Sequence, residues 1–600
     1  MQLPISLADR VNQSELIIEG EIISSQSKWN VERNMIFTVS QIRVFKLFKG
    51  SLSGSVVTLL TEGGQDGLDL IEVGNEFMPV VGEQGVFMLK MNSKIPNLAI
   101  RFQGPLYTCF MAHQSTVMYN LFDKTANSPF QQFNSIPYGL YPAIHQITGQ
   151  YHTELITNTR LNQALQQTQS GNQVNAVPTI TSFTPTTITA GTRSLLTING
   201  TNFGASRGAG FVEFRNANDG GASWVQAKAS DYRTWTNTQI TVWVPSSSLS
   251  NGPSAGTGQI RVTNNDPNIA TSTGTLTVTY SVINVEFDGK GQYTEHQNDN
   301  TTGGYTFQCE AATFAANAPA VAAFTRAMNT WTCSTNMNWI LGANTAVDTA
   351  LADGINIVRF DKGPSLPAGV LGRATSRFSG CINAAAPSDT VWTVTEVDVV
   401  YDDGAAGLSW NFSTANATFS QIDFETVTVH ELGHAHQLQH IINSGAIMHY
   451  SISNGQTSRV LSPTIDVPAG NFVMTRSTAA HGACKPSPMT SLSLAASVSI
   501  AASPGTSVCS NTSVTFTATP VLPAGTATYT WKKNGVTVGT NSTTYTNASW
   551  VNGDQVQVVM SVSGGCNQTV NSNTLTMTVS TAVTASVSIA ASPGTTVCNG

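Results

Sequence analysis

Apolar and polar residues alternate through most of this chain in short runs separated by Gly, Pro and Asn, a period-two pattern that predicts strands. LIIEGEIISS at 16–25, MIFTVSQIRVFKLFKG at 35–50 and GVFMLK at 85–90 predict a β-rich domain over residues 1–155, a small barrel or sandwich. Residues 156–176, with LNQALQQTQSGNQVNA at 161–176, are polar and short of large apolar side chains, which predicts a linker. Short alternating strands resume over 177–280, the regime of a β-sandwich. Over 281–487 the period changes. GGYTFQCE predicts a strand, and a helix follows with Pro319 in its first turn and Val321, Phe324, Met328 and Trp331 at helical spacing. NMNWILG, GINIVRF and EVDVVYDD predict further strands. A second helix is expected to start at an N-cap Ser420, with Asp423 three residues on and Val427, Leu432 and Ala435 on its buried side. ASVSIAASPGT occurs at 496–506 and again at 585–595, so 488–582 is one repeat and 583–600 the start of a second, cut off at Gly600 as in a fragment of a longer protein. The fold class expected is multidomain, an α+β domain among several all-β barrels or sandwiches.

Composition sharpens this picture. Only 10% of the 600 residues are charged, against about a quarter in ordinary domains, and the polarity comes from Ser, Thr, Asn and Gln. That points to an exported protein, secreted or attached to a cell surface. A net charge of -7 with no run of Lys or Arg excludes nucleic acid as a partner. No window is apolar for long enough to cross a bilayer. MQLPISLADR lacks the basic start and apolar centre of a leader, so a leader is expected to have been removed. The eight cysteines form no CxxC pairs, which favours disulfides. Cys509 with Cys566 is the expected pair inside the repeat, with Trp531 between them. Cys309, Cys333, Cys381 and Cys484 can form two bridges of open connectivity, and Cys598 has no partner.

The chemistry concentrates in HELGHAHQLQH at 430–440 and GAIMHY at 445–450. On a helix, His430 and His434 at i and i+4 share a face and can bind one metal ion, for which zinc is the natural candidate. Glu431 between them can take a proton from water at the metal. His440 can complete the site if the helix stops and the chain turns back. No Glu follows Glu431, which removes a site closed by a downstream glutamate, while Asp466 and Asp554 stay open as alternatives. His436 and His449 are expected not to be ligands.

Two stretches resemble known families. ITSFTPTTITAGTRSLLTINGTNFG from 180, with TQITVWVP at 238–245 and GQIRVTN at 258–264, is similar to an IPT/TIG domain, which implies a spacer or binding module. The histidine motif with Met448 after it resembles the metzincin metalloproteases. The His440-to-Met448 interval, GVLGRA at 369–374 and VVYDDG at 399–404 are matrixin-like, and MHY is more like the astacins. That resemblance implies His430, His434 and His440 as zinc ligands, Glu431 as general base and acid, and Met448 as the apolar floor of a Met-turn. It implies a role for Tyr450 on zinc or on an oxyanion, against a merely packed tyrosine. Asp402 and Asp403 match carboxylates near a calcium site of the family, and Arg373 and Val400 stand where its structural-zinc histidines would be, so no second zinc is expected. Gln437 replaces the glycine of the family's turn. Cys109 could cap the metal as a propeptide thiolate, although PLYTCF lacks the switch motif and a buried free thiol is the plainer expectation. The repeat around Trp531 is similar to an immunoglobulin-like or PKD-like sandwich.

The expected function is a secreted zinc endopeptidase acting on protein or peptide substrates, held on a cell surface or extracellular polymer by its sandwich modules. The alternatives are an adhesin with an inactive protease domain, and a protease restrained by residues 1–155.

Overall fold

A computed structural model describes the chain apart from residues 93–95, 99, 101, 103, 167–176, 247–253, 363–365, 384–389, 406, 493–494, 523–525, 564–565, 582, 591 and 593–600. Cys598 and half of the truncated repeat therefore lie outside the described residues. Two compact units, Met1–Leu492 and Ser493–Gly600, each have their own core.

In the first unit, β-branched runs near the N-terminus form Leu16–Trp29, Ile36–Lys49, Val56–Glu62, Leu106–Thr108 and Gln84–Met91, paired in that order. Leu16–Trp29 also pairs with Gln84–Met91, which closes the sheet into a barrel and leaves these strands no free edge. Ile18, Ile42, Leu59, Phe87 and Leu89 fill one face of the wall. The expected linker begins as a helix, Thr159–Gln166. Asn158 accepts the Leu161 N–H at 3.0 Å and Leu161 is buried, so one apolar anchor and a cap outweigh the polar composition. Residues 178–280 form a sandwich with sheets Thr179–Thr184, Leu195–Thr201, Gln239–Trp243, Tyr232–Trp235 and Trp224–Gln226, Phe211–Asn216, Ala255–Thr263, Ile269–Thr271. Leu196, Ile198, Phe214, Val242 and Val262 interdigitate between them.

The α+β part follows. Trp339–Leu341, Tyr305–Cys309, Asn356–Phe360 and Thr390–Tyr401 run parallel in that order, and Gly372–Ile382 pairs antiparallel with the last. Their continuous apolar runs fit a sheet covered on both faces. The helix Ala318–Thr335, capped by Asn317 and started by Pro319, packs Phe324, Met328 and Trp331 against the motif helix, Phe424–Ala435. Each such buried side chain contributes on the order of 2 kcal/mol. Gly372–Ile382 would be the sheet's edge, but Asp69–Val73 from the barrel region pairs antiparallel with it, Val73 opposite Thr375 and Asp69 opposite Ser379. The barrel thus extends the sheet that flanks the motif helix.

In the second unit, Ser497–Ser503, Val514–Val521 and Thr544–Asn547 form one sheet, and Val536–Thr540, Thr526–Lys533, Gln555–Ser563 and Gln568–Asn571 the other. Trp531 is fully buried between them and donates its indole N–H to Ser542 O at 2.9 Å.

The cysteines correct two expectations. Cys509 is a free, exposed thiol and does not pair with Cys566. Ser507–Cys509 lies in a small parallel pair with Thr578–Ser580, while Cys566 follows Gln555–Ser563 in another sheet. Cys566 and Cys333 are each disulfide-bonded. Cys381 bridges Cys484 across 103 residues, but Cys309 is free and buried, so the four cysteines around the motif do not form two bridges among themselves.

Candidate metal centre

The motif helix starts at Asp423, not Ser420. Asp423 Oδ1 accepts the Thr426 N–H at 2.8 Å and its hydroxyl at 2.6 Å, satisfying donors at the helix start. Arg459 locks the cap with its Nε, 2.9 Å from Asp423 Oδ1. Every residue of this helix is buried, so Val427, Leu432 and Ala435 are only part of its packed surface. Trp331 donates its indole N–H to Val429 O at 2.8 Å. Gly433 permits contact on another side, because a Cβ there would stand 2.2 Å from Met448 Sδ.

The helix ends through Gln437. Its φ of 68° is left-handed, a conformation usual for Gly. The Leu438 N–H bonds Gly433 O at 3.0 Å and the Gln437 N–H bonds His434 O at 2.8 Å, the paired bonds of a Schellman termination. The strain of a left-handed non-glycine residue, roughly 1–3 kcal/mol, is offset by a second layer of bonds. Ile283 N–H donates to Gln437 O and Gln439 N–H to Ser281 O, both at 2.9 Å, so the chain leaving the sandwich pairs with the turn. Gln437 Nε2 also donates to Ala435 O at 3.1 Å. Tertiary pairing does here what a glycine would do through conformational freedom.

The turn carries His440 back over the helix. His440 Nε2 lies 3.1 Å from His434 Nε2 and 3.3 Å from His430 Nε2. Each Nδ1 has an acceptor: Ile447 O for His430 at 2.8 Å, Leu438 O for His434 at 2.9 Å, and Asn218 Oδ1 for His440 at 2.9 Å. A proton on each Nδ1 leaves three Nε2 lone pairs converging. Burial pushes all three imidazoles below their ordinary pKa, so they are neutral at pH 7 and able to serve as ligands. Neutral nitrogens with fixed tautomers and one open side fit a zinc ion. Among the described residues this is the one group of three or more His, Cys, Asp or Glu side chains arranged to hold a metal.

Glu431 is fully buried, and its Oε2 accepts the Ala374 N–H at 3.0 Å. Its Oε1 is 2.5 Å from the Met1 nitrogen. Residues 1–3 run extended along a groove, with Leu371 N–H donating to Met1 O at 3.0 Å and Leu3 N–H to Gly369 O at 2.8 Å. Gln2 sits antiparallel to Val370 and parallel to Ser451. Met448 is buried beneath, and its carbonyl accepts the Ile441 N–H at 2.9 Å.

His434 and His440 face a cavity of about 600 Å3 shared by the barrel, the sandwich and the α+β part. Tyr450 lines it, its ring stacked on Phe130 of the barrel domain with centroids 5.8 Å apart. Glu72 accepts Gln439 Nε2 at 2.6 Å, and burial pushes its carboxyl up to about 7. Glu76 is 3.0 Å from Arg373, and burial, only partly countered by that guanidinium, raises it to about 8. Arg373, where a structural-zinc histidine was sought, instead fastens the barrel to the sheet.

The other candidates separate from the triad. Asp402 Oδ1 caps the Gly404 N–H at 2.7 Å and Asp403 Oδ1 the Ala405 N–H at 2.8 Å. They are turn acceptors, and among the described residues they belong to no group of three or more His, Cys, Asp or Glu side chains arranged to hold a metal. Asp466 accepts Ser462 N–H at 2.8 Å, and Asp554 belongs to the other unit, held by Asn534 and Lys533. His436 is fully buried, its Nε2 3.1 Å from Thr335 Oγ1 and apart from the triad. His449 is 3.4 Å from Ile441 O. Cys109 is a buried thiol in the barrel core, raised well above its ordinary pKa by burial. Sequence reasoning missed Asn218 and Glu72, which lie 222 and 367 residues from their partners in the motif. No local signal could have found them.

Residues 284–469 match the family model described as matrixin, and residues 178–280 match the IPT/TIG domain. The chain thus carries a matrixin domain, of the metzincin clan, next to an IPT/TIG domain, as their motifs indicated. The matrixin family implies zinc binding and hydrolysis of protein substrates. No curated protein matches the chain. Among solved structures, the N-terminal four Ig domains of Dscam1 isoform 7.44 align at 9% identity, covering 68% of this chain and 73% of that one, with a TM-score of 0.14. Those of isoform 6.9 align at 8% identity over 95% and 100%, also with a TM-score of 0.14. Scores this low carry no argument about fold.

Proposed function

We propose that the chain is a secreted zinc endopeptidase, with His430, His434 and His440 holding the metal and Glu431 moving the proton. The observation that carries the reading is the convergence of three neutral Nε2 atoms beside a buried carboxylate, at a groove that holds an extended main chain by backbone hydrogen bonds. When bound, zinc supplies a Lewis acid that polarises a carbonyl oxygen and acidifies neighbouring water. Glu431, held through its Oε2 by the Ala374 N–H, takes the proton of the attacking water and returns it to the leaving amine. Gly369, Leu371 and Ser451 offer main-chain groups that align an extended peptide, and Tyr450 stands at the cavity wall as a candidate for the oxyanion. Disulfide-bonded cysteines and the weakly charged composition support export, and among the described residues no helix is long and apolar enough to cross a membrane. The sandwich modules are assigned to holding the enzyme on a surface or polymer. Glu431→Ala is expected to retain one zinc per chain by metal analysis and to lose peptide hydrolysis by roughly a hundredfold to ten-thousandfold. Undiminished turnover overturns the role of Glu431, whereas a wild-type chain that binds zinc and hydrolyses no peptide leaves the inactive adhesin as the better reading.

A second reading, restraint by the N-terminal domain, is favoured by the pairing of Asp69–Val73 with Ser379–Thr375 beside the site. It predicts that Glu72→Ala with Glu76→Ala, which removes two anchors on Gln439 and Arg373, raises kcat/KM on a peptide substrate. An unchanged value with the metal fully loaded removes it.

A further inference from the structure

The three Nδ1 acceptors differ in origin. His430 and His434 use carbonyls of their own neighbourhood, Ile447 and Leu438, whereas His440 uses a side chain of the IPT/TIG sandwich. From this we propose that Asn218 is a positioning residue of the metal centre, so that the IPT/TIG domain completes the zinc site and is more than a spacer. The inference rests on the zinc reading above.

Three observations carry it. First, the turn bearing Asn218 is built to hold it. The Asn218 N–H donates to Asn216 Oδ1 at 2.8 Å, and Asp219 accepts the Gly221 N–H at 3.1 Å and the Ser223 N–H at 3.0 Å. Second, this turn is seated against the segment that follows His440. A Cβ on Gly220 would stand 2.5 Å from Tyr450 Oη, and one on Gly256 2.7 Å from Ile442 Cδ1. The glycines leave Tyr450 and Ile442 their present places against the sandwich, and that close seat goes with Asn218 Oδ1 at 2.9 Å from His440 Nδ1. Third, His440 needs an outside partner. His430 and His434 are set by the helix, but His440 lies beyond the turn and two residues past Leu438, where no helix backbone fixes its ring plane. An acceptor on Nδ1 fixes both tautomer and ring plane and makes Nε2 more basic toward a metal. Asn218 contacts no reacting atom; it acts through His440.

The test measures zinc affinity of the full chain by competition with a chelator, together with the visible spectrum of the Co2+-substituted protein and the thermal midpoint. Asn218→Ala is expected to weaken zinc binding roughly tenfold to a hundredfold and to alter the cobalt spectrum. Asn218→Asp, whose carboxylate accepts the same hydrogen bond, is expected to restore both. His440→Ala serves as the reference for loss of a ligand. If wild type and His440→Ala bind zinc equally, the zinc reading itself fails. If wild type binds zinc but Asn218→Ala matches it in affinity and spectrum, this inference alone is overturned. If Asn218→Asp is as weak as Asn218→Ala while both melt with wild type, the acceptor role is overturned as well.

Discussion

Gly433→Ala sets two effects of known size against each other. In an exposed helix the change would stabilise by about 1 kcal/mol, because Ala loses less backbone entropy than Gly. Here the new Cβ would stand 2.2 Å from Met448 Sδ and 3.2 Å from Trp331 Cζ2, where carbon contacts normally settle at about 3.5–4.0 Å. Overpacking costs about 1–3 kcal/mol. The upper end is taken because Met448 and Trp331 are both buried, so any shift of the Met448 side chain has to be absorbed by packed neighbours. The net expectation is a loss of about 2 kcal/mol. The strain also has a direction. Met448 follows Ile447, whose carbonyl orients His430, so displacing this turn disturbs one of the three candidate ligands. Urea unfolding followed by tryptophan fluorescence, with zinc retention against a chelator, should show both losses. Gly433→Ala with Met448→Ala should cost less than the two single changes added, by about 1 kcal/mol or more. A Gly433→Ala protein more stable than wild type, with unchanged zinc retention, would refute the packing argument and leave helix propensity in charge.

Cys484→Ser opens a loop of 103 residues that contains all three histidines; it is expected to cost about 2–5 kcal/mol, seen as a lower thermal midpoint that wild type reaches only under reductant. Burial raises Glu396 to about 7 and Asp398 to about 6, with Arg377 between them opposing the shift. Groups raised in the folded state stabilise fully below the unfolded carboxylate range of about 4 and lose that contribution as pH climbs through about 6 to 7. The thermal midpoint should therefore fall between about pH 5 and about pH 8, and Glu396→Gln should flatten the profile; a midpoint that rises over that span contradicts the assignment. Gln437→Val places a β-branched side chain at a φ of 68° and should destabilise by about 1–3 kcal/mol with loss of zinc retention, while Gln437→Gly should retain zinc; equal behaviour of the two would show that the turn carries no strain.

Reading along the chain was enough for the parts whose physics is local. Alternation gave the strands, Pro319 and the spacing from Val321 to Trp331 gave the first helix of the α+β part, and i, i+4 spacing put His430 and His434 on one face. The motif helix was legible too, although its cap was placed at Ser420 when Asp423 holds it. That error came from tertiary context, since Arg459 converges on Asp423 from 36 residues away. The Cys509–Cys566 pairing failed for a similar reason, because proximity within a repeat says nothing about which sheet each cysteine joins.

By itself, then, the sequence determined the ligand types, their spacing and the all-β surroundings, since these follow from side-chain chemistry and backbone periodicity over a few residues. The tertiary structure decided how the site closes. A glutamine takes the left-handed turn because Ser281 and Ile283 pair with it, Asn218 reaches His440 because glycines let the sandwich approach, and Glu72 and Glu76 enter the cavity wall because the barrel pairs with the edge of the sheet. Those contacts join residues hundreds of positions apart, and their energies exist only once the chain has brought them together.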